Sequence, residues 1–348
     1  MIWAALLALQ SAGDVFVSGQ DGYHTYRIPS AIVTSKGTVL AFCEGRRAGR
    51  NDTGDIDLVL KRSADGGATW GPLQVVWDDG PNTCGNPCPV VDRDTGTIWM
   101  LMTHNLGEDH EAKIIDRTAK GTRTAWVSQS SDDGVSWSKP VEITSRAKKP
   151  DWTWIATGPG VGIQTKSGRL VIPCDHVEAG TKKGGSHVIW SGDHGASWTL
   201  GGAITGGVNE CQVAERADGS LLLNMRNYGT PARDRAVATS ADGGATWSEL
   251  SHDAALIEPA CQASILRQSW EPSRLLFSNP ADRKARVRMT VRLSRDEGKT
   301  WAVAKELGSG PAAYSCLTIL PDRSVGCLYE TGDKSAYEKI VFARFSIE

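Results

Sequence analysis

Ser63-Ala-Asp65-Gly-Gly67-Ala-Thr-Trp70 decides the fold, because its pattern, Ser-x-Asp-x-Gly-x-x-Trp, returns four more times along the chain. The copies are Ser130/Asp132/Gly134/Trp137, Ser191/Asp193/Gly195/Trp198, Ser240/Asp242/Gly244/Trp247 and Ser294/Asp296/Gly298/Trp301. As chemistry the pattern is a tight hairpin turn: the Asp carboxylate accepts backbone N–H groups inside the turn, and Gly supplies positive φ at no steric cost. The Trp is expected to pack over the sheet edge while its N–H reaches an acceptor. Between the boxes the sequence reads as short strands, as in Ile56–Arg62, Gly168–Pro173 and Ser220–Asn224, with no long amphipathic helix.

Such self-similarity marks a repeat architecture. Dividing 348 residues by six gives about 58 per unit, close to the box spacing, so five boxed blades and one unboxed blade account for the chain. The expected fold is all-β, a six-bladed β-propeller of four-stranded antiparallel blades. The unboxed blade joins both ends of the chain, Val341–Phe345 pairing with a strand near Asp14–Val17 and so removing sheet edges. No linker interrupts the chain, and residues 14–348 are expected to form one domain. Residues 1–13 read either as a signal-peptide remnant lacking its basic leader or as a first strand, and their apolar run is too short to span a bilayer. The signal-like reading favours a secreted or periplasmic protein over one of the cytoplasm or a lysosome-like compartment.

With 40% hydrophobic and 22% charged residues the chain can bury a sizeable core. A net charge of −2 without a polybasic run argues against a nucleic-acid groove or an electrostatic membrane patch. The eight Cys lie scattered, mostly in apolar runs, as buried free thiols do. Cys84 and Cys88 have no second pair at zinc spacing, and His104 and His110 around Glu108–Glu111 fit no ligand motif. Neither a metal nor a cofactor is expected.

Tyr26-Arg27-Ile28-Pro29 resembles the YRIP motif of the sialidase (neuraminidase) family, and the five boxes resemble that family's Asp boxes. Boxes are structural turns that unrelated propellers share, so function rests on other residues. Sialic acid bears a carboxylate on its anomeric carbon, and the planar fork of guanidinium matches that anion. The resemblance implies three such arginines: Arg27, Arg226 in Asn224-Met-Arg226, and Arg286 in Lys284-Ala-Arg286-Val-Arg288. Strand alternation puts 286, 288, 290 and 292 on one face, so only the distance to the last box favours Arg286 over Arg288 and Arg292.

Tyr314, in Ala312-Ala-Tyr314, matches the family's nucleophile. A carboxylate in that role would be repelled by the substrate's own carboxylate; a phenol escapes this, but with a reference pKa of about 10 it needs a base beside it. Glu210 matches that partner, and sialidases depart from the two-carboxylate scheme of most glycosidases in this way. Asp52, in the loop after Arg46, is the implied general acid, a task that asks for a raised pKa; Asp55 is its nearest rival and Asp57 a strand acid. Arg46 is the implied extra arginine on the sugar rim, and Glu330 the acid that orients Arg27. Asn86–Pro89 and Thr157–Gly160 are family-like segments that read equally as pocket lining or as structural turns.

The resemblance spans Tyr26 to Phe345 and implies a catalytic domain that releases terminal sialic acid, with retention, from glycoproteins, glycolipids or oligosaccharides. A trans-sialidase, a hydrolase of the deaminated sugar and a non-catalytic carbohydrate-binding propeller are the alternatives. Linkage preference and oligomeric state are not written in these motifs.

Overall fold

The computed structural model describes residues 12–347, so most of residues 1–13 lies outside the described residues. Among the described residues the chain is a succession of antiparallel strands relieved by two short helices, Glu111–Ile115 and Thr144–Ala147. Each sequence-adjacent group of strands pairs in order. Thr25–Val33, Val39–Arg46, Ile56–Ser63 and Gln74–Trp77 form one run. Thr83–Val91, Ile98–Asn105, Thr124–Ser130 and Val141–Glu142 form the next. Trp152–Thr157, Leu170–Glu178, Gly184–Ser191 and Thr199–Thr205 follow, with Ile163–Gln164 added on the first side. Val208–Glu215, Leu221–Asn227, Asp234–Ser240 and Ser251–Ile257 make the fourth run.

The 18-residue strand Ala302–Ile319 serves two runs. Up to Pro311 it pairs with Val287–Ser294, beyond which lie Arg274–Pro280 and Ser264–Ser269. From Ala312 it pairs with Val325–Thr331, followed by Lys339–Phe345 and then Gly13–Val17. Gly13 lies opposite Phe342 and Val17 opposite Lys339, so the expected pairing of the two chain ends is present.

Burial grades across each run. The leading strands Thr25–Val33 and Trp152–Thr157 are buried almost throughout, whereas the trailing Gln74–Trp77 and Ser251–Ile257 are largely exposed. Leading strands are packed on both faces, so their polar residues, among them Arg27, Ser30 and Gln212, are buried with partners from neighbouring strands. Beneath the functional cleft they are bridged by side chains: Gln212 Nε2 donates to the carbonyls of Pro159 (3.1 Å) and Val161 (3.3 Å), Gln262 Nε2 to those of Pro159 (3.1 Å) and Ser315 (3.0 Å), and Ser30 Oγ to that of Gly160 (2.8 Å). The Thr157–Gly160 segment is thus a structural turn at the junction of the leading strands.

Every box starts on the last residue of the third strand of its run. In the third box, Asp193 Oδ1 accepts Ser191 Oγ (2.7 Å) and Ser197 N (2.9 Å), Asp193 Oδ2 accepts Ser197 Oγ (2.6 Å), and Ser191 Oγ accepts Gly195 N (2.8 Å). The first box repeats the set around Asp65. These bonds, led by the one from the hydroxyl four residues on, pull the carboxyls of Asp132, Asp193 and Asp296 down to about 2.

Each box also leans on the preceding run. A Cβ on Gly195 (φ 88°) would come within 2.1 Å of the Trp99 ring, and one on Gly67 (φ 89°) within 2.3 Å of Phe342. Trp137 meets Phe42 edge-on at 5.7 Å, Trp198 meets Trp99 at 6.2 Å and Trp70 meets Phe342 at 5.5 Å. The expected N–H partner exists only in the last two boxes, where Trp247 Nε1 donates to Gly202 O (3.0 Å) and Trp301 Nε1 to Asp253 Oδ2 (2.9 Å). The indole N–H groups of Trp70, Trp137 and Trp198 have no protein acceptor among the described residues, so ring packing anchors these boxes. All eight cysteines are buried free thiols.

Candidate active site

Arg27 starts from a bulge. The register of Thr25–Val33 shifts between Arg27 and Ser30, and Ile28 sits at φ 63°, a conformation that costs a β-branched residue about 1–3 kcal/mol. One carboxylate holds the distortion: Glu330, fully buried, accepts Arg27 Nε (2.7 Å) and Ile28 N (3.0 Å) on Oε1, and Tyr314 N (3.1 Å) on Oε2. Glu330 therefore fixes an arginine and the backbone of the tyrosine together.

Across from them, Leu221–Asn227 carries Arg226 and Val208–Glu215 carries Glu210. Tyr314 Oη donates to Glu210 Oε1 at 2.5 Å, while Arg226 Nη1 donates to Glu210 Oε2 at 2.5 Å and to Tyr314 Oη at 3.1 Å. Burial, then the charge of Glu210, push the Tyr314 hydroxyl well above its ordinary range, against the pull of Arg226 and Arg27. Arg286 completes the cluster, donating through Nη1 to Tyr337 Oη (2.9 Å) and through Nη2 to Ala260 O (3.3 Å). The guanidinium carbon of Arg27 lies 5.1 Å from the centre of the Tyr314 ring and that of Arg286 5.6 Å from it.

Arg46, almost fully buried, is held by Glu44 Oε2 through Nε (3.0 Å) and Nη2 (2.6 Å), and its Nη1 meets Asp52 Oδ1 at 2.7 Å. The Asp52 side chain is 70% exposed on its loop. Desolvation raises its carboxyl, but Arg46 in contact and Arg27 beyond it outweigh that and hold it below the usual carboxylate range, opposite to the raised value the acid role led us to expect. Asp55 and Asp57 both bond to Arg47, and Asp57 also accepts Tyr23 Oη at 2.5 Å, which makes them part of the framework.

These groups line one cleft of about 340 Å³. Its far wall is Arg123, whose Nη1 donates to Asn105 Oδ1 (2.8 Å) and whose Nη2 donates to Asn86 Oδ1, with its guanidinium carbon 4.4 Å from the centre of the Trp154 ring. Lys148 fastens this wall from behind: its Nζ donates to Thr122 Oγ1 (2.7 Å), Arg123 O (2.9 Å) and Thr153 O (3.1 Å). Asp175, on the same side and buried, has its carboxyl pushed well up by burial and then by Glu210 and Glu111.

The BNR repeat-like domain family matches residues 37–328. An exo-alpha-sialidase of Aspergillus fumigatus is 35% identical over 94% of this chain and 85% of its own length. A sialidase of Micromonospora viridifaciens is 34% identical over 94% of this chain, which spans about half of that protein (53%). The solved structure of Hadza microbial sialidase Hz136 superposes with a TM-score of 0.87 at 32% identity, covering 96% of this chain and 68% of that one. The chain belongs to the sialidase family.

Within this sialidase-family fold all eight residues singled out in the sequence, Arg27, Arg46, Asp52, Glu210, Arg226, Arg286, Tyr314 and Glu330, fall at or beside the cleft, Glu330 lying just behind its wall. The expected alternation of Arg286, Arg288 and Arg292 fails. The register slips on both sides of Met289, Arg288 sits at φ 62° and turns outward to Glu306, and Arg292 is buried against Asn279. Arg286 alone of the three reaches the cleft. Sequence reasoning missed Arg123, Trp154, Asp175, Tyr228 and Tyr337. It had noticed Asn86–Pro89, of which Asn86 lines the wall, but could not separate lining from turn. No helix among the described residues is long and apolar enough to cross a membrane.

Proposed function

We propose that this chain is a retaining exo-α-sialidase built on a six-bladed propeller. The blade count is supported by the strand runs and by the strand Ala302–Ile319, which closes one run and opens the next. The observation that carries the activity is the contact of Tyr314 Oη with Glu210 Oε1 at 2.5 Å beneath Arg27, Arg226 and Arg286.

Three guanidinium groups facing one cleft, only two of them neutralised by Glu330 and Glu210, call for an anion. The carboxylate of a sialoside fills that demand and brings its anomeric carbon over Tyr314. As Tyr314 Oη attacks, its proton passes to Glu210, so no phenolate has to exist free; this is the use of a nucleophile whose own acidity is suppressed. Asp52 donates its proton to the departing glycosidic oxygen. Arg46 and then Arg27 hold the Asp52 carboxyl down; a bound carboxylate offsets the pull of Arg27 and raises Asp52 part of the way back toward the acid form. Water then attacks the anomeric carbon of the glycosyl-tyrosine as Asp52 takes its proton; the bond to Tyr314 Oη breaks and Glu210 returns its proton to that oxygen, leaving the sugar with its original configuration. Arg123, Trp154 and Asp175 form the wall for the remainder of the sugar.

The test is release of 4-methylumbelliferone from its α-N-acetylneuraminic acid conjugate between about pH 4 and 8. Turnover is expected in the wild type and is expected to fall at least about 10³-fold in Tyr314→Phe with unchanged folding. Unchanged turnover in a purified, folded variant would remove Tyr314 from the mechanism. Product analysis by mass spectrometry separates hydrolysis from transfer.

A further inference from the structure

Arg123 stands just before the strand Thr124–Ser130, and Trp154 lies within Trp152–Thr157. Both face the cleft, yet the two strands belong to different sheets, so no backbone ladder holds one residue to the other. Lys148 spans that joint. Its buried Nζ donates to Arg123 O (2.9 Å) on one side, to Thr153 O (3.1 Å) on the other and to Thr122 Oγ1 (2.7 Å), while Thr122 Oγ1 donates in turn to Thr153 O (3.2 Å). Three N–H donors on one nitrogen require the ammonium, since the neutral amine has two. Behind the joint is an open hollow of about 750 Å³ that Lys148 shares with Arg117, Glu142, Lys149 and Trp152, none of which lines the cleft. The proton of Lys148 thus has a way out that does not cross the sugar site.

We propose that Lys148 is a positioning residue for sugar recognition, an ammonium clasp that holds the Arg123–Trp154 wall closed on the bound sugar and loosens when it gives up its proton. The inference rests on the sialidase reading above. Charge-assisted bonds are the stronger kind, so the amine grips both carbonyls less firmly than the ammonium does. Burial, then the charges of Arg123 and Arg117, lower Lys148 to about 8, so the clasp slackens just above neutral pH. The charged groups around it are Arg123 on the wall, Arg117 after the helix Glu111–Ile115, Lys149 next in the chain and Glu142 from Val141–Glu142. His176, stacked on Trp152, and His187 beside it are neutral throughout this range.

The experiment measures affinity for 2-deoxy-2,3-didehydro-N-acetylneuraminic acid by titration calorimetry from about pH 6 to about 9.5, with kcat at about pH 6 beside it, in the wild type, Lys148→Met and Thr122→Val. Wild-type affinity is expected to fall about ten-fold through one ionisation near pH 8. Lys148→Met is expected to bind about ten-fold more weakly at the acid end and to lose nothing further as pH rises, with kcat within about two-fold. Thr122→Val keeps the titrating amine and removes one acceptor; it is expected to lose about three-fold in affinity and to retain the pH dependence. Wild-type affinity that stays flat across the range, or a folded Lys148→Met that binds as the wild type does or keeps its pH dependence, overturns the clasp while leaving the sialidase reading intact. Should Lys148→Met fail to fold, unchanged affinity in Thr122→Val overturns the clasp in its place. Absence of both turnover and analogue binding in the wild type overturns both readings.

Discussion

The boxes and the cleft are both organised by carboxylates, and they use them in opposite ways. In a box the aspartate is saturated by a serine, a backbone N–H and a hydroxyl of its own turn, all within a few residues, and the five turns are chemically interchangeable. In the cleft the partners come from opposite ends of the chain: Glu330 reaches Arg27 across 303 residues, and Tyr314 reaches Glu210 across 104. The boxes leave no charge seeking a partner, whereas the cleft holds Arg286, bonded to a tyrosine hydroxyl and a carbonyl rather than to a carboxylate, and a β-branched residue in a left-handed conformation. Redundant, locally satisfied turns make a frame rigid enough to hold a site that is neither redundant nor satisfied.

Glu330→Gln attacks the one residue that belongs to both, since it neutralises Arg27 and also bonds the backbone of Ile28 and Tyr314. Breaking a buried ion pair from one side costs about 3–5 kcal/mol. Turnover should therefore fall about 10²-fold or more and the urea midpoint should drop in the same protein; loss of one without the other would mean that strain and catalysis are held by different contacts. Gly195→Ala tests the frame alone. With φ at 88° and Trp99 in the way, we expect a loss of about 2–4 kcal/mol by urea denaturation and kcat within about two-fold of wild type in the folded fraction.

The smallest expected effect concerns acid. His176 and His187 are buried, joined Nδ1 to Nδ1 at 3.1 Å, and their Nε2 atoms have no protein partner. Burial first, then Lys149, lowers His176 to about 3, and burial with His176 beside it lowers His187 well below its usual value. Unfolded histidine takes its proton near pH 6.5 while these stay neutral in the fold, so their contribution is whole above that pH and is lost as pH falls toward 3. Between pH 7 and 5 the pair should cost about 1–2 kcal/mol per histidine, and His176→Phe, which keeps the stack on Trp152, should reduce proton uptake on unfolding by about one. An unchanged slope of stability against pH would place the acid sensitivity elsewhere.

The frame was legible because each box is a local sentence: Ser, Asp and Gly bond within one turn and Trp follows at a fixed spacing, and the chain-end pairing followed from a strand pattern without a partner. The eight site residues were legible through short motifs around them. The wall was not. Arg123 meets Trp154 only because Lys148 binds the carbonyls of Arg123 and Thr153, a junction of segments with no joint sequence signal. Alternation could not tell Arg286 from Arg288, and only the distance to the last box favoured it, because a register slip, invisible in a string of alternating residues, reverses the facing. The lowered carboxyl of Asp52 follows from its contact with Arg46 Nη1, a distance that no motif records.

The first of the five boxes to leave the ribosome is the one that rests on Phe342, a residue made after all the other boxes. Until Lys339–Phe345 emerges, Trp70 and Gly67 are therefore without the ring they are shaped against, and the strand Gly13–Val17 has no strand to pair with. A nascent chain can dock its second to fifth boxes in turn, each on a surface already made, but its earliest turn must wait for its latest strand. Emergence of Lys339–Phe345, rather than of any earlier strand, is then the event that completes this frame.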